Sequence, residues 1–329
     1  MLKVDVGIIG GGPSGLSTAI ECAKNDISCV IIEKGSLVDG IRRFPLNMVF
    51  FTTPELLEIG NLPLVCVNEK PTRLEALKYY RRAAEYYQLP LRLYEKVEKV
   101  RKVNGHFEIK SSFQRELTGT PEPITTKKLV VATGYYDNPN RLGVPGEDLR
   151  KVTHYYSESH TYYGLDVAVI GGSNSAAESA LDLYRSGVKV RLIHRGSDLS
   201  THIKYWVRPD IKNRIERGEI EAYLETEVEE ILPDTLKLKK KSGERFTVPN
   251  NAVLALTGYH PDYMFLQSMG ITINKANGKP SIEQETGETN VPGLYLAGGI
   301  VAGQMTNKVF IENGRLHGQK IVQHILTGK

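Results

Sequence analysis

Two short glycine-rich stretches carry the residue types that hold phosphate groups. Gly10-x-Gly12-x-x-Gly15 follows the apolar run Asp5-Val6-Gly7-Ile8-Ile9. Gly10 permits a tight strand-to-helix turn, Gly12 lets the backbone approach a pyrophosphate, and Gly15 lets the next helix pack closely on the strand. Pro13 and Ser14 stand at the start of that helix, whose free N–H groups and partial positive charge suit an anion. Glu33 ends the next apolar run, about twenty residues downstream, where a carboxylate accepts hydrogen bonds from ribose hydroxyls. Strand, glycine loop, helix and acid together predict a bound dinucleotide.

The second stretch, Gly171-Gly172-Ser173-Asn174-Ser175-Ala176, follows Asp166-Val167-Ala168-Val169-Ile170. Ser173 departs from the glycine pattern, and its hydroxyl can donate to a phosphate. The strand after this loop ends in His194-Arg195, with no acid to hold the ribose of NAD. A guanidinium pairs well with a 2′-phosphate, which points to NADPH rather than NADH. His194 reads as a structural residue or a partner for the adenine.

The elements that must position these residues follow from the apolar patterns. After each loop, apolar residues recur at helical spacing: Leu16, Ala19, Ile20, Ala23, and then Ala177, Ala180, Leu181, Tyr184. A second strand follows each helix, Cys29-Val30-Ile31-Ile32 and Val188 to Ile193. A βαβ unit therefore occurs twice, about 160 residues apart, and its continuous apolar runs fit buried parallel strands. Thr72 to Tyr87 predicts a helix, with Lys78, Arg81 and Arg82 as a solvated basic face and Tyr79, Tyr80, Tyr86 and Tyr87 as packing residues. Leu91 to Leu129 and Ile220 to Leu256 read as small antiparallel meanders. Asp137 to Gly146 reads as a linker, and the chain ends in an amphipathic helix. The fold class is α/β, with two Rossmann-like domains carrying small antiparallel meanders.

Composition narrows the functions. The 329 residues suffice for two cores, and 40% hydrophobic with 24% charged residues is an ordinary globular balance. A net charge of +4 makes no case for nucleic-acid binding. The three cysteines, Cys22, Cys29 and Cys66, form no C-x-x-C pair and no metal-ligand spacing, so no metal is expected. They read as reduced packed thiols. No run approaches the roughly 20 apolar residues of a membrane span, and the N-terminus lacks the pattern of a secretory signal. The expected location is the cytoplasm.

Ala132-Thr133-Gly134, Thr257-Gly258-Tyr259-His260-Pro261-Asp262 and Tyr295-Leu296-Ala297-Gly298-Gly299, added to the two loops, resemble the low-molecular-weight, thioredoxin-reductase-like flavoproteins. Val49-Phe50-Phe51, Gly258 to Tyr263 and Phe310-Ile311-Glu312-Asn313-Gly314 make the chain similar to the YpdA-type bacillithiol-disulfide reductase family. The resemblance spans nearly the whole chain. It implies FAD on residues 1–138 and 262–329, NAD(P)H on residues 150–258, a homodimer, and electron flow from NADPH through FAD to a low-molecular-weight disulfide. It implies that FAD meets Gly10, Gly12, Pro13, Ser14, Gly15, Glu33, Lys34, Thr133, Gly134, Gly298 and Gly299. NADPH would meet Gly171, Gly172, Ser173, Asn174, Ser175, Ala176, His194, Arg195, Thr257 and Gly258. Two departures stand out: Ser14 where the family carries cysteine, and Gly299 where the wider superfamily places an aspartate. A serine hydroxyl cannot exchange with a disulfide. Ser14 and His260 are the catalytic candidates. The competing readings are a ferredoxin- or flavodoxin-type NADP reductase served by a small electron-carrier protein, a flavin monooxygenase, and a flavin redox-sensing module.

Overall fold

The computed structural model describes residues 1–114 and 119–328. Residues 115–118, part of the first stretch expected to form a meander, and Lys329 lie outside the described residues. The chain divides into two compact units: residues 1–43, 47–138 and 259–329, and residues 44–46 with 139–258.

In the first unit the chain runs β1 (Leu2–Ile9), α1 (Pro13–Lys24), β2 (Cys29–Glu33), α2 (Asp39–Arg42), α3 (Arg73–Tyr86), β3 (Leu91–Leu93), β4 (Glu95–Val103), β5 (His106–Phe113) and β6 (Ile124–Val131). The second unit holds β7 (Val152–Thr153), β8 (Asp166–Ile170), α4 (Asn174–Arg185), β9 (Lys189–Ile193), α5 (Arg208–Glu216), β10 (Glu221–Tyr223), β11 (Thr226–Ile231), β12 (Thr235–Lys240), β13 (Arg245–Pro249) and β14 (Ala252–Ala255). The chain then returns to the first unit with α6 (Tyr263–Ser268), β15 (Leu294–Leu296), α7 (Ile311–Gly314) and α8 (His317–Thr327).

Both units are built on a parallel sheet. In the first the order is β3-β2-β1-β6, with β15 alongside the last residues of β6 and β5-β4 continuing antiparallel from its first residues. In the second the order is β10-β9-β8-β14-β7, with β11-β12-β13 as a separate antiparallel sheet. Alternation along β8 explains its unbroken apolar run. Val167 and Val169 pack with Ala177, Ala180 and Leu183 of α4, while Ala168 and Ile170 pack with Val228, Leu236 and Leu238 of the meander. Both faces are covered from Val167 to Ile170, so that stretch leaves no position for a polar residue.

Both expected meanders are shorter than the sequence suggested. Leu91–Leu93 is an outer parallel strand, with Leu91 opposite Ile31. Glu221–Tyr223 pairs parallel with β9 and Ala252–Ala255 with β8. Strands of three or four residues are too short to reveal by alternation which ladder they join. Helix α3 is capped by Thr72, whose hydroxyl accepts from Glu75 N while the Glu75 carboxylate accepts from Thr72 N (2.7 Å). Tyr86, expected to pack, is exposed instead, while Tyr80 is fully buried and donates to Leu57 O (2.9 Å). The Tyr79 hydroxyl accepts from Ile59 N (2.7 Å), and burial pushes its pKa up to about 12.

Candidate functional site

Strand register brings the first set of residues to one edge. Ile9 lies opposite both Ile32 and Val131, and Val131 lies opposite Leu296. The residues that follow these strand ends therefore converge: Gly10 to Gly15, Glu33, Ala132-Thr133-Gly134, and Ala297-Gly298-Gly299. This is the carboxyl edge of the parallel sheet, where open α/β folds bind ligands. Gly10 turns at φ +109°, and a methyl carbon on it would lie 2.6 Å from Ala132 O. A methyl on Gly15 would lie 2.0 Å from Gly10 O. A methyl on Gly12, in contrast, would meet nothing within 4 Å. Gly12 faces open space at the N-terminus of α1, where Pro13 occupies the first turn and no side chain caps the helix. That is the cradle a pyrophosphate needs.

Glu33 fixes this cradle to β2. Its carboxylate accepts from Gly11 N (2.7 Å) and Gly35 N (2.8 Å). The side chain is 8% exposed, and burial raises its pKa despite those two donors. Each oxygen keeps a lone pair, so ribose hydroxyls would stabilise a charge that the protein alone supports poorly. Among the described residues the Thr133 hydroxyl is buried without a hydrogen-bond partner. The backbone N of Thr133 lies beside Gly10, 3.1 Å from where a methyl would stand. Lys34 points elsewhere, its amine 2.7 Å from Asp137.

In the second unit, Ile170 lies opposite Ile193 and Ala255. The same edge therefore gathers Gly171 to Ala176, His194-Arg195 and Leu256-Thr257-Gly258. A methyl on Gly171 would lie 2.5 Å from Leu256 O. Ser173 is exposed at the N-terminus of α4 and its side chain makes no capping bond, so the hydroxyl is free for a phosphate. Arg195 is exposed and, among the described residues, has no ion-pair partner. The His194 ring fills the space over Gly172, where a methyl would lie 2.2 Å from its Cε1. Burial, then Arg195, lowers its pKa. Two candidates serve the loop itself. Asn174 Nδ2 donates to His202 O (3.0 Å) and its Oδ1 accepts from Lys204 N (2.9 Å). The Thr257 hydroxyl donates to Asn140 O.

Residues 7–298 match the family model described as pyridine nucleotide-disulphide oxidoreductase. The chain belongs to that family. It is 42% identical over 326 residues to "Bacilliredoxin reductase Bdr" of Bacillus subtilis, covering 99% of this chain and 98% of the relative. The solved structure "Bacillithiol Disulfide Reductase Bdr (YpdA) from Bacillus cereus" matches with a TM-score of 0.96 and 42% identity over 99% of this chain and all of that one. The corresponding Staphylococcus aureus structure matches with a TM-score of 0.93 and 41% identity, with both chains fully covered.

This pyridine nucleotide-disulphide oxidoreductase is a flavin-dependent disulfide reductase that uses FAD and NAD(P)H. Ser14 Oγ abuts two glycines: a methyl on Gly298 would lie 2.6 Å from it, and one on Gly314 3.2 Å. The aspartate expected at position 299 has no room, because the Tyr135 ring occupies the space and a methyl there would lie 2.6 Å from Cε1. Gly298, Gly314, Tyr135 and His317 close this corner of the site. His317 was not legible in the sequence, since a lone histidine at a helix start carries no spacing signal. His260 is a turn residue: its Nδ1 lies 2.7 Å from Pro261 O and its ring stacks on Tyr263.

The cysteines are not arranged around the first glycine loop. Cys22 and Cys29 are buried, and the Cys29 thiol with burial holds Cys22 protonated. Cys66 is half-buried and donates to Asn68 O (2.9 Å). Among the described residues no cluster of His, Cys, Asp and Glu could hold a metal ion, and no helix is long and apolar enough to cross a membrane.

Proposed function

We propose that the protein is a cytoplasmic, homodimeric NADPH-dependent bacillithiol-disulfide reductase. In this reading residues 1–138 and 262–329 hold FAD and residues 150–258 hold NADPH. The observation that carries it is the full-length likeness to the Bacillus cereus bacillithiol disulfide reductase. When bound, the flavin supplies the two-electron chemistry that links nicotinamide oxidation to disulfide reduction, so that NADPH, a proton and one disulfide yield NADP⁺ and two thiols.

The chain's own residues bind and orient. The open face at Gly12 and the uncapped start of α1 receive the FAD pyrophosphate, Glu33 receives the adenosine ribose, and Thr133 donates from the neighbouring strand end. Ser173 and the start of α4 receive the NADPH pyrophosphate, and Arg195 takes the 2′-phosphate. Ser14 carries no electrons. Its hydroxyl packs the first turn of α1 against Gly298 and Gly314, so position 14 would place no protein thiol between a bound flavin and the disulfide.

The test is anaerobic NADPH oxidation by the purified yellow protein, with bacillithiol disulfide, an oxidised bacilliredoxin or ferredoxin supplied in turn. Turnover with bacillithiol disulfide alone supports the reading and shows that position 14 need not be cysteine. Turnover only with the bacilliredoxin would move the substrate from a small molecule to a protein disulfide. Reduction of ferredoxin alone would replace the reading with the NADP-reductase one.

A further inference from the structure

At the end of β15 the sheet runs out of partners. Ala297 N still donates to Val131 O (3.0 Å). The next residue, Gly298, is buried and turns at φ +79°, a conformation that takes its N–H out of the ladder. A buried amide donor needs an acceptor. It finds one nineteen residues further on: Gly298 N donates to Nδ1 of His317, 3.0 Å away, on the first residue of α8.

Close packing surrounds the turn. Ser14 Oγ presses on it, and a methyl on Gly314 would lie 3.1 Å from Gly298 Cα and 3.2 Å from Ser14 Oγ. Helix α8 itself is fixed to α1, since a methyl on Gly318 would lie 2.6 Å from Thr18 N. Through His317, the packing of α8 on α1 is converted into a position for the Gly298–Gly299 backbone.

We propose that His317 is the positioning residue of the flavin site, its neutral imidazole holding the Gly298–Gly299 turn against FAD by accepting the Gly298 N–H. The proposal rests on the reading that FAD occupies the first glycine loop. Acceptance requires the tautomer with its proton on Nε2 and none on Nδ1. The surroundings favour a neutral ring: burial, and then Lys320 one turn along α8, hold its pKa below the ordinary histidine value. Lys320 itself lies 3.5 Å from Glu285. Opposite, α1 offers the backbone of Ser17 and Thr18 at Gly318, and the turn itself offers the Gly298 N–H.

The geometry supplies its own control. Asparagine at 317 puts an acceptor oxygen where Nδ1 stands, glutamine puts one a bond further out, and leucine has none. The readout is first-order FAD release from purified holoprotein, followed by recovered flavin fluorescence with no NADPH or disulfide present. The expected result is release from His317→Asn within about threefold of wild type, and roughly tenfold faster release from His317→Gln and His317→Leu. Equal release from all four proteins overturns the proposal, as does an asparagine variant that releases as fast as leucine. Should the leucine variant fail to fold, nitrogen-15 NMR of the wild-type histidines decides: an Nε2–H imidazole accepting at Nδ1 is expected, and an Nδ1–H tautomer overturns it. A wild-type protein that takes up no FAD overturns the site reading and this proposal together, which none of the variant outcomes does.

Discussion

The two glycine loops share a backbone plan and differ in what each does with the end of its second strand. In the first unit, Gly11 N–H is tied to a buried carboxylate on Glu33 at 2.7 Å. In the second, the equivalent Gly172 is covered by the His194 ring and the charge is carried one residue later by an exposed Arg195. A buried carboxylate accepts ribose hydroxyls and belongs to a ligand that stays. An exposed guanidinium attracts a phosphate from solvent and suits a ligand that comes and goes. The third strand ends differ in the same sense: the Thr133 hydroxyl is left without a protein partner, whereas that of Thr257 is spent on Asn140. On the proposed reading, one fold would serve a resident and an exchanging dinucleotide by changing a few residues at strand ends.

The strongest way to break this comparison is at the first loop. Gly15→Ala places a methyl 2.0 Å from Gly10 O. Overpacking of that kind costs about 1–3 kcal/mol or more, so flavin content should collapse together with the melting temperature. Gly12→Ala meets no protein atom within 4 Å. It should melt like the wild type yet release flavin at least roughly tenfold faster, as the methyl takes the space a phosphate needs. The flavin-to-protein absorbance ratio and a thermal melt separate the two. If Gly12→Ala retained flavin as tightly as the wild type, the loop would not be a pyrophosphate cradle.

At the second loop, Arg195→Ala should raise the KM for NADPH by about 10- to 100-fold, the worth of a charge-assisted contact, and leave that for NADH unchanged. Equal losses with both nucleotides would make Arg195 a structural residue and remove the asymmetry. Glu33→Gln is a milder change. It keeps one oxygen but turns an amide toward a backbone N–H, so flavin release should quicken about tenfold with the NADPH KM untouched. A shift in that KM instead would mean that the two sites are not independent.

Much of this was readable because the signals are local. Gly10, Gly12, Gly15 and Glu33 sit within one βαβ unit, and the tight turn, the open face at Gly12 and the Glu33 tie to Gly11 follow from their spacing along the chain. The tight turn at Gly171 follows in the same way. What escaped was long-range or short. Leu91–Leu93 and Glu221–Tyr223 are parallel edge strands of three residues, in which a period of two has no length to appear. His317 reaches Gly298 across nineteen residues of loop and helix start, and no spacing rule connects them. The protein partners of Asn174 and Lys34 were not legible either: the first bonds with His202 and Lys204 and the second pairs with Asp137. Tyr135 shows why position 299 is glycine: the reason is a ring from 164 residues earlier in the chain.

The smallest expected effect concerns pH. His317 and His194 are both held below the ordinary histidine value, burial being the first cause in each, followed by Lys320 and Arg195 respectively. The unfolded chain, whose imidazoles titrate near ~6.5, then binds protons before the native protein does. Stability is therefore complete above about pH 6.5 and falls as the pH drops through that value, until the native histidines protonate. Glu33 acts in the opposite direction: burial raises its carboxyl, so its contribution grows as the pH falls toward ~4.3. Between about pH 7 and pH 5.5 the histidines lower stability as the pH falls, and the raised carboxyls of Glu33 and Glu312 oppose them. His194 is more exposed, and solvent screens its share. Melting temperatures across that window should fall in the wild type and fall less in His317→Asn, with a smaller change in His194→Asn. A slope flattened by the His194 substitution and untouched at His317 would mean that the second loop, not the first, carries the buried neutral imidazole on which its unit depends.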